Sequence, residues 1–144
     1  MIENIVNGYE LDYLIKLFFA LLAGFLIGSE RVARGKTAGV TTQFFVISGA
    51  MTFTFLSFLA DPHEPARIAA QIVTGVGFLG AGIILKSDEG KIVNLTTAAS
   101  IWFSAGIGMM IGYGWYISSL FAVIFSVLVP RIPNIPGKGP SSHE

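Results

Sequence analysis

The sequence contains no cysteine and little charge. Only 12% of its 144 residues are charged, whereas 53% are hydrophobic and the mean hydropathy is +0.70. Soluble domains carry about 25% charged residues, so a soluble chain of this size could not cover its surface, and the composition indicates a membrane protein. The absence of cysteine excludes disulfides and thiolate metal sites. A net charge of zero gives no bulk attraction to nucleic acid.

The motifs of several function classes are also missing. Gly35-Lys36-Thr37 resembles the end of a phosphate-binding loop, but Glu30 stands where that loop requires glycine, and no strand precedes it. The sequence offers no Ser–His–Asp set, no membrane-embedded pair of carboxylates and no cofactor motif. We therefore expect neither nucleotide binding nor catalysis, and no cofactor.

Long uncharged segments predict one all-α membrane domain over residues 1–130. Its five transmembrane helices are expected at about 11–28, 37–60, 66–85, 94–111 and 114–130. Residues 92–130 contain no ionisable Asp, Glu, Lys, Arg or His. As one helix they would measure about 58 Å at 1.5 Å per residue, so the segment must turn back, and Gly112-Tyr113-Gly114 is the natural place. Residues 131–144, rich in Pro, Gly and Ser, are expected to form a disordered cytoplasmic tail.

Positive residues lie mainly on one side of this predicted path, which sets its orientation. Two of them, Lys16 and Arg67, fall on one side, and seven fall on the other: Arg31, Arg34, Lys36, Lys86, Lys91, Arg131 and Lys138. Since cytoplasmic loops collect Lys and Arg, we expect the N-terminus outside and the C-terminus in the cytoplasm.

Glycines suggest where helices approach one another closely. Residues 66–85 contain Gly75, Gly77, Gly80 and Gly82, and because each costs about 0.8–1 kcal/mol of helix propensity, we expect this helix to be the centre of the bundle. Gly24 and Gly28 predict a second close-packing face. Gly108 and Gly112 are expected to stay available for self-association, so we predict a homodimer.

The two cytoplasmic loops resemble each other, which suggests an internal repeat. Residues 35–42 match residues 90–97 at a constant offset of 55, with the shared pattern G-K-x-x-(G/N)-(V/L)-T-T. Helices one and three run the same way, so this would be a parallel repeat of a helical hairpin. Chance similarity between Gly- and Thr-rich segments is the alternative. The threonine pairs are expected to cap helices two and four.

Several polar residues are candidates for a functional network. Glu30, Arg31 and Arg34 lie where the first helix leaves the membrane, and either set the topology or form an ion-pair network. Arg67 and Gln71 share one face of the third helix, where they satisfy each other or headgroups unless they are functional. The remaining candidates begin the fourth helix and are Asn94, Thr96 and Thr97. Glu30 is the best-placed carboxylate for Mg²⁺, whose ligands are oxygens.

Residues 67–82, RIAAQIVTGVGFLGAG, followed by residues 95–102, LTTAASIW, carry a family resemblance. Together with Gly28-Ser29-Glu30-Arg31, this pattern resembles the MgtC/SapB family of bacterial inner-membrane proteins over about residues 14–130. The resemblance implies a multi-pass protein of the bacterial inner membrane with a role in magnesium homeostasis and low-magnesium adaptation. It also implies a link to virulence, and a regulatory role that includes contact with the F-type ATP synthase.

The sequence departs from this family pattern in three places. Ala38-Gly39-Val40-Thr41-Thr42 stands where many relatives have A-G-L-R-T, and Ile92-Val93-Asn94-Leu95 stands where many have V-R-G-L. The cytoplasmic C-terminal domain of the longer members is expected to be missing, which makes this a short, SapB-like member. We expect a regulator or binding module within the bilayer; the alternative is a transporter or channel for magnesium or another small cation.

Overall fold

Five α-helices follow one another in the computed structural model, which describes residues 8–86 and 92–132. They are α1 (Glu10–Ala33), α2 (Val40–Ala60), α3 (Ala66–Ile83), α4 (Leu95–Gly112) and α5 (Tyr116–Leu128). A two-residue antiparallel pair, β1 (Leu85–Lys86) with β2 (Ile92–Val93), joins α3 to α4. The first four helices are long and apolar enough to span a membrane, and α5 is a shorter apolar helix. The predicted all-α membrane class is confirmed. Most of the predicted tail, residues 133–144, lies outside the described residues.

The first helix is longer than the sequence predicted. It runs through the charged segment to Ala33, so Glu30 and Arg31 lie in its last turns and not in a loop. A Schellman motif ends it: the Gly35 amide donates to the Val32 carbonyl at 2.9 Å and the Lys36 amide to the Arg31 carbonyl at 3.0 Å. Gly35 has φ +63°, the left-handed conformation that glycine adopts at this position without strain.

Helices α2 and α4 form the centre of the bundle and run parallel to each other. A Cβ added to Gly108 would meet the Ile47 carbonyl, and one added to Gly112 would lie 2.9 Å from the Met51 carbonyl. Residue numbers on both helices therefore rise together along the contact. Ile47 and Met51 are fully buried in the main core cluster, and α4 is the most buried of the four long helices.

The expectation that α3 is the central helix is wrong. It lies at the edge of the bundle, packs against α2 and α4, and has the smallest buried share of the four long helices. Gly75, Gly77 and Gly82 face open space, and Gly80 makes only an ordinary contact with Ala98. A glycine count marks a helix that can pack closely, but it does not tell which helix does so.

The close approaches occur elsewhere. A Cβ on Gly24 would lie 2.6 Å from the Phe44 ring, and one on Gly28 would meet the backbone of Val40, so both glycines hold α1 against the start of α2. Gly108 and Gly112 are covered by α2 within the same chain, and the expectation that they stay available for self-association is wrong.

Polar side chains also link the helices at the end of the bundle where α1 begins and α2 and α4 end. The Lys16 ammonium is buried, 2.5 Å from the Asp12 carboxylate and 5.5 Å from the centroid of the Phe55 ring. The Ser57 hydroxyl donates to the Pro65 carbonyl at 2.6 Å, and the Tyr113 hydroxyl donates to the same oxygen at 3.2 Å. These bonds fix the turn between α2 and α3 against the end of α4.

Candidate functional site

The guanidinium of Arg31 is the centre of a buried polar cluster where α1, the α1–α2 loop and α4 meet. Its Nε donates to the carbonyl oxygens of Thr37 at 3.0 Å and Ala38 at 3.1 Å. Its Nη2 donates to the Thr37 carbonyl at 2.7 Å and to Thr97 Oγ1 at 3.0 Å, and Nη1 donates to Ser100 Oγ at 2.7 Å. Arg31 is only 6% exposed. A full positive charge is thus buried against four neutral acceptor atoms.

The local backbone sets up these acceptors. The loop that follows α1 includes Ala38 at φ +57°, a left-handed conformation that costs a non-glycine residue about 1–2 kcal/mol. On α4, Thr97 and Ser100 lie three residues apart and so on one helical face. The Ser100 hydroxyl donates to the Thr97 carbonyl at 2.8 Å, which leaves its oxygen lone pairs free to accept from the guanidinium.

Two further polar side chains lie one turn deeper in the bundle. Gln43 Nε2 donates to the Ala38 carbonyl at 3.4 Å, but Gln43 Oε1 and Ser104 Oγ have no hydrogen-bond partner among the described residues. Both residues are fully buried. Gln43 lies four residues before Ile47 on α2, and Ser104 lies four residues before Gly108 on α4. Because Ile47 and Gly108 are in contact and the helices run parallel, Gln43 and Ser104 lie at the same level of the α2–α4 interface. The polar cluster therefore extends inward from Arg31 between the two central helices.

Glu30 forms a second, looser group beside this cluster. Its side chain is 7% exposed, and its Oε1 lies 3.5 Å from Arg34 Nη1 and 3.9 Å from Arg131 Nε. The carboxylate therefore faces two guanidiniums. In residues 8–86 and 92–132, no group of three His, Cys, Asp or Glu side chains could hold a metal ion. A role for Glu30 as a magnesium ligand stays a prediction, and its positive surroundings disfavour a cation.

The structure brings together some of the predicted site residues and separates others. Arg31 and Thr97 are in direct contact, with Glu30 and Arg34 on the adjoining surface. Arg67 and Gln71 are exposed on α3, which begins at the opposite end of the bundle. They take no part in the cluster.

The residues at the start of α4 differ in their roles. Thr96 is exposed, and Asn94 occupies the N-cap with φ +65°, a conformation that Asn tolerates and Gly adopts freely. The expectation that the threonine pairs cap α2 and α4 is wrong, because the N-cap residues are Gly39 and Asn94 and neither helix has a side-chain cap hydrogen bond. Thr97 instead accepts from Arg31.

Five members of the cluster were not predicted from the sequence. Thr37 and Ala38 contribute backbone carbonyls, which every residue has, so no sequence signal could single them out. Ser100 follows Thr97 by one helical turn, and Gln43 and Ser104 are polar residues inside otherwise apolar helices. Polar side chains in apolar helices tend to hydrogen-bond to neighbouring helices in a membrane bundle, and this signal could have marked these three residues.

The arrangement holds α1, the α1–α2 loop and α4 together through hydrogen bonds from Arg31. The donors of Arg31 are directed at neutral oxygens, and no described side chain pairs a nucleophile with a base in this cluster. The contacts link the α1–α2 hairpin to the first two turns of α4.

Comparison with known proteins gives a consistent result. A family model described as "MgtC family" matches residues 17–133. The chain is similar to "Protein MgtC" of Salmonella typhimurium, at 48% identity over 112 residues, which cover 78% of this chain and 48% of the relative. It is similar to "Putative magnesium transporter YhiD" of Escherichia coli K12, at 43% identity over 130 residues, 84% of this chain and 60% of the relative.

A relative from Bacillus subtilis also matches. "Protein SapB" of Bacillus subtilis is 36% identical over 126 residues, 81% of this chain and 54% of the relative. The chain spans about half the length of the curated relatives that it matches. No solved structure matches it.

Proposed function

Since the chain belongs to the MgtC family, we propose that it is a multi-pass protein of the bacterial inner membrane that regulates magnesium homeostasis. The name of the Escherichia coli relative supports the connection to magnesium. The sequence resemblance extends the proposal to low-magnesium adaptation, to virulence and to contact with other membrane complexes such as the F-type ATP synthase. The proposed action is binding within the bilayer, without a catalysed reaction.

The observation that favours a regulator over a transporter is the closed packing of the two central helices. Gly108 and Gly112 bring α4 against the backbone of α2 so closely that not even a methyl group fits. At the end of this interface, Arg31 bonds α1 and the α1–α2 loop to α4. An ion path between α2 and α4 would require the two helices to separate, and it would bring the ion past the buried positive charge of Arg31.

We also propose that the N-terminus lies outside and the C-terminus in the cytoplasm, with α5 completing the fifth crossing. Charge supports this orientation: Arg31, Arg34 and Arg131 lie at the end where α2 and α4 begin, and Lys16 and Arg67 lie at the other end. The parallel hairpin repeat is supported by the helix starts. The N-caps Gly39 and Asn94 are separated by the same offset of 55 that relates the two loop motifs.

Self-association is proposed through α3. Because Gly108 and Gly112 are covered within the chain, the contact is proposed on α3, where Gly75 and Gly82 lie seven residues apart on one side of the helix and have open space. Small residues let helices approach closely in lipid, so a homodimer would bring two copies of α3 together.

The regulatory proposal predicts that the purified protein does not carry magnesium. In liposomes loaded with a magnesium-sensitive dye, an imposed Mg²⁺ gradient should produce no more signal than in protein-free liposomes, while a magnesium ionophore gives full response. In parallel, the tagged protein should co-purify subunits of the F-type ATP synthase from membranes of its host.

Two outcomes would contradict the proposal. Flux that Glu30→Gln abolishes would overturn the regulator in favour of a transporter. Absence of both flux and synthase subunits would contradict regulation through that complex. The transporter is the second candidate because one relative is named for magnesium transport, but Mg²⁺ needs oxygen ligands that usually include one or two carboxylates, and Glu30 is already paired with arginines.

A further inference from the structure

A cleft runs between the C-terminal halves of α1 and α5, apart from the Arg31 cluster. Its volume is about 560 Å³, and its walls are mainly apolar, with Leu26, Val127 and Leu128 among them. Glu30 and Arg131 line its polar end. The cleft therefore combines a hydrocarbon-like wall with charged groups at the level where two membrane helices end.

The charges at this polar end do not cancel. Arg34 and Arg131 both face the single buried carboxylate of Glu30, at 3.5 Å and 3.9 Å, so the three groups together carry one positive charge. The nearby Arg31 directs its hydrogen bonds inward to the loop and α4. The side chains of Arg34 and Arg131 are 35% and 63% exposed, and one net charge remains accessible from the cleft.

Both exposed guanidiniums keep unused donors. A guanidinium has five N–H groups, and in the part of the chain that the structure describes, Arg34 and Arg131 each have Glu30 as their only side-chain partner. Glu30 holds the two arginines close together at the polar end, with Arg131 in the lining of the cleft and Arg34 beside it. Phosphate oxygens match the fork of N–H donors that such a pair presents.

We propose that this cleft binds one anionic phospholipid. The phosphate lies between Arg34 and Arg131, and an acyl chain runs along Leu26, Val127 and Leu128. A phosphodiester carries one negative charge, which neutralises the net positive charge of Glu30, Arg34 and Arg131 together. A zwitterionic lipid brings its own cation and so leaves that charge unbalanced, which gives a preference for anionic headgroups.

The test measures lipid binding by the purified full chain in mild detergent. Phosphatidylglycerol should raise the midpoint of thermal unfolding in a saturable way, and native mass spectrometry should retain one lipid per chain. Phosphatidylcholine and free glycerol 3-phosphate, added at the same concentrations, should do neither. Arg131→Gln should weaken the apparent affinity for phosphatidylglycerol about tenfold, as expected for loss of one charged hydrogen-bonding partner.

The matched control is Lys36→Gln, which removes the same charge from an exposed residue outside the cleft and should change the affinity less than about twofold. Equal stabilisation by phosphatidylcholine, or equal loss in Lys36→Gln and Arg131→Gln, would overturn the proposal. Saturable binding of glycerol 3-phosphate alone would show a soluble-anion site and would overturn it as well. Because Arg131 is exposed and near the end of the described fold, its replacement leaves the helices intact and keeps the comparison interpretable.

Discussion

Replacement of Arg31 by methionine should lower the free energy of unfolding in mixed micelles by about 3 kcal/mol. The change leaves the Thr37 carbonyl without its donor, and the Ala38 carbonyl and the Thr97 hydroxyl keep only contacts of 3.4 Å, to Gln43 Nε2 and Thr37 Oγ1. A buried acceptor left without a partner costs about 1–3 kcal/mol. Thr37 is exposed, so water replaces part of the hydrogen bonding that its carbonyl loses.

Two variants separate the geometry of Arg31 from its charge. Arg31→Lys keeps the charge but loses the planar fork, so it should recover only about half of the lost stability. Lys36→Gln removes the same charge from an exposed position and should change the free energy by less than about 0.5 kcal/mol. Equal losses in Arg31→Met and Lys36→Gln would mean that only net charge matters and that the buried hydrogen bonds contribute nothing.

Gly108→Ala should destabilise the protein by a similar amount, about 3 kcal/mol, at the upper end of the usual cost of overpacking. The added Cβ would collide with the carbonyl group of Ile47 and lie 2.9 Å from the Cβ of Ala50. Neither atom can rotate away, because one belongs to the backbone and the other is fixed to it. The two central helices would have to separate along their contact. Unfolding in mixed micelles, followed by helical circular dichroism, measures the change.

The same helix offers a matched control. A Cβ on Gly106 meets nothing within 4 Å, and alanine is the better helix former, so Gly106→Ala should be neutral or stabilising. If both alanine variants behave alike, α2 does not pack against α4 as described.

The class of the protein follows from the sequence because hydropathy and charge act over whole segments. The end of α1 did not follow, because Glu30 and Arg31 resemble a charged loop until their partners are known. Arg31 remains helical and buried since Thr37, Thr97 and Ser100 supply acceptors from distant parts of the chain.

The sequence also did not show which helix lies at the centre of the bundle. Small residues occur in both α3 and α4, and spacing alone does not tell which set meets a neighbouring backbone. Gly108 meets Ile47, whereas Gly77 meets nothing. The difference depends on which helix lies against α2, and that is a property of the whole packing arrangement.

Part of the candidate site was predictable. Arg31 was a candidate because it lies in the charged segment where the first helix leaves the membrane, and Thr97 because it belongs to the threonine pair that begins the fourth helix. The argument that charged groups in membrane segments tend to be functional pointed instead to Arg67, which lies outside the cluster. Arg131 was assigned to the tail, but its guanidinium lies 3.9 Å from Glu30. Its position depends on where α5 ends and how closely α5 lies beside α1, neither of which charge counting can supply.

The most direct test of the fold is a disulfide between α4 and the loop that precedes α2. The Thr37 and Thr97 hydroxyl oxygens lie 3.4 Å apart, so the two side chains face each other and we expect cysteines at these positions to cross-link. The chain has no cysteine of its own. Thr37→Cys and Thr97→Cys are combined with a protease site at the exposed turn residues His63 and Glu64. The control combines Phe25→Cys with Phe78→Cys, exposed on α1 and α3.

After oxidation in membranes and cleavage at the turn, the Thr37/Thr97 pair should keep both fragments joined at the mass of one chain until a reducing agent is added. The Phe25/Phe78 pair should release them without reduction. Release of the fragments in the Thr37/Thr97 variant, or joining in the control alone, would contradict a centre formed by parallel α2 and α4 and tied together at Arg31.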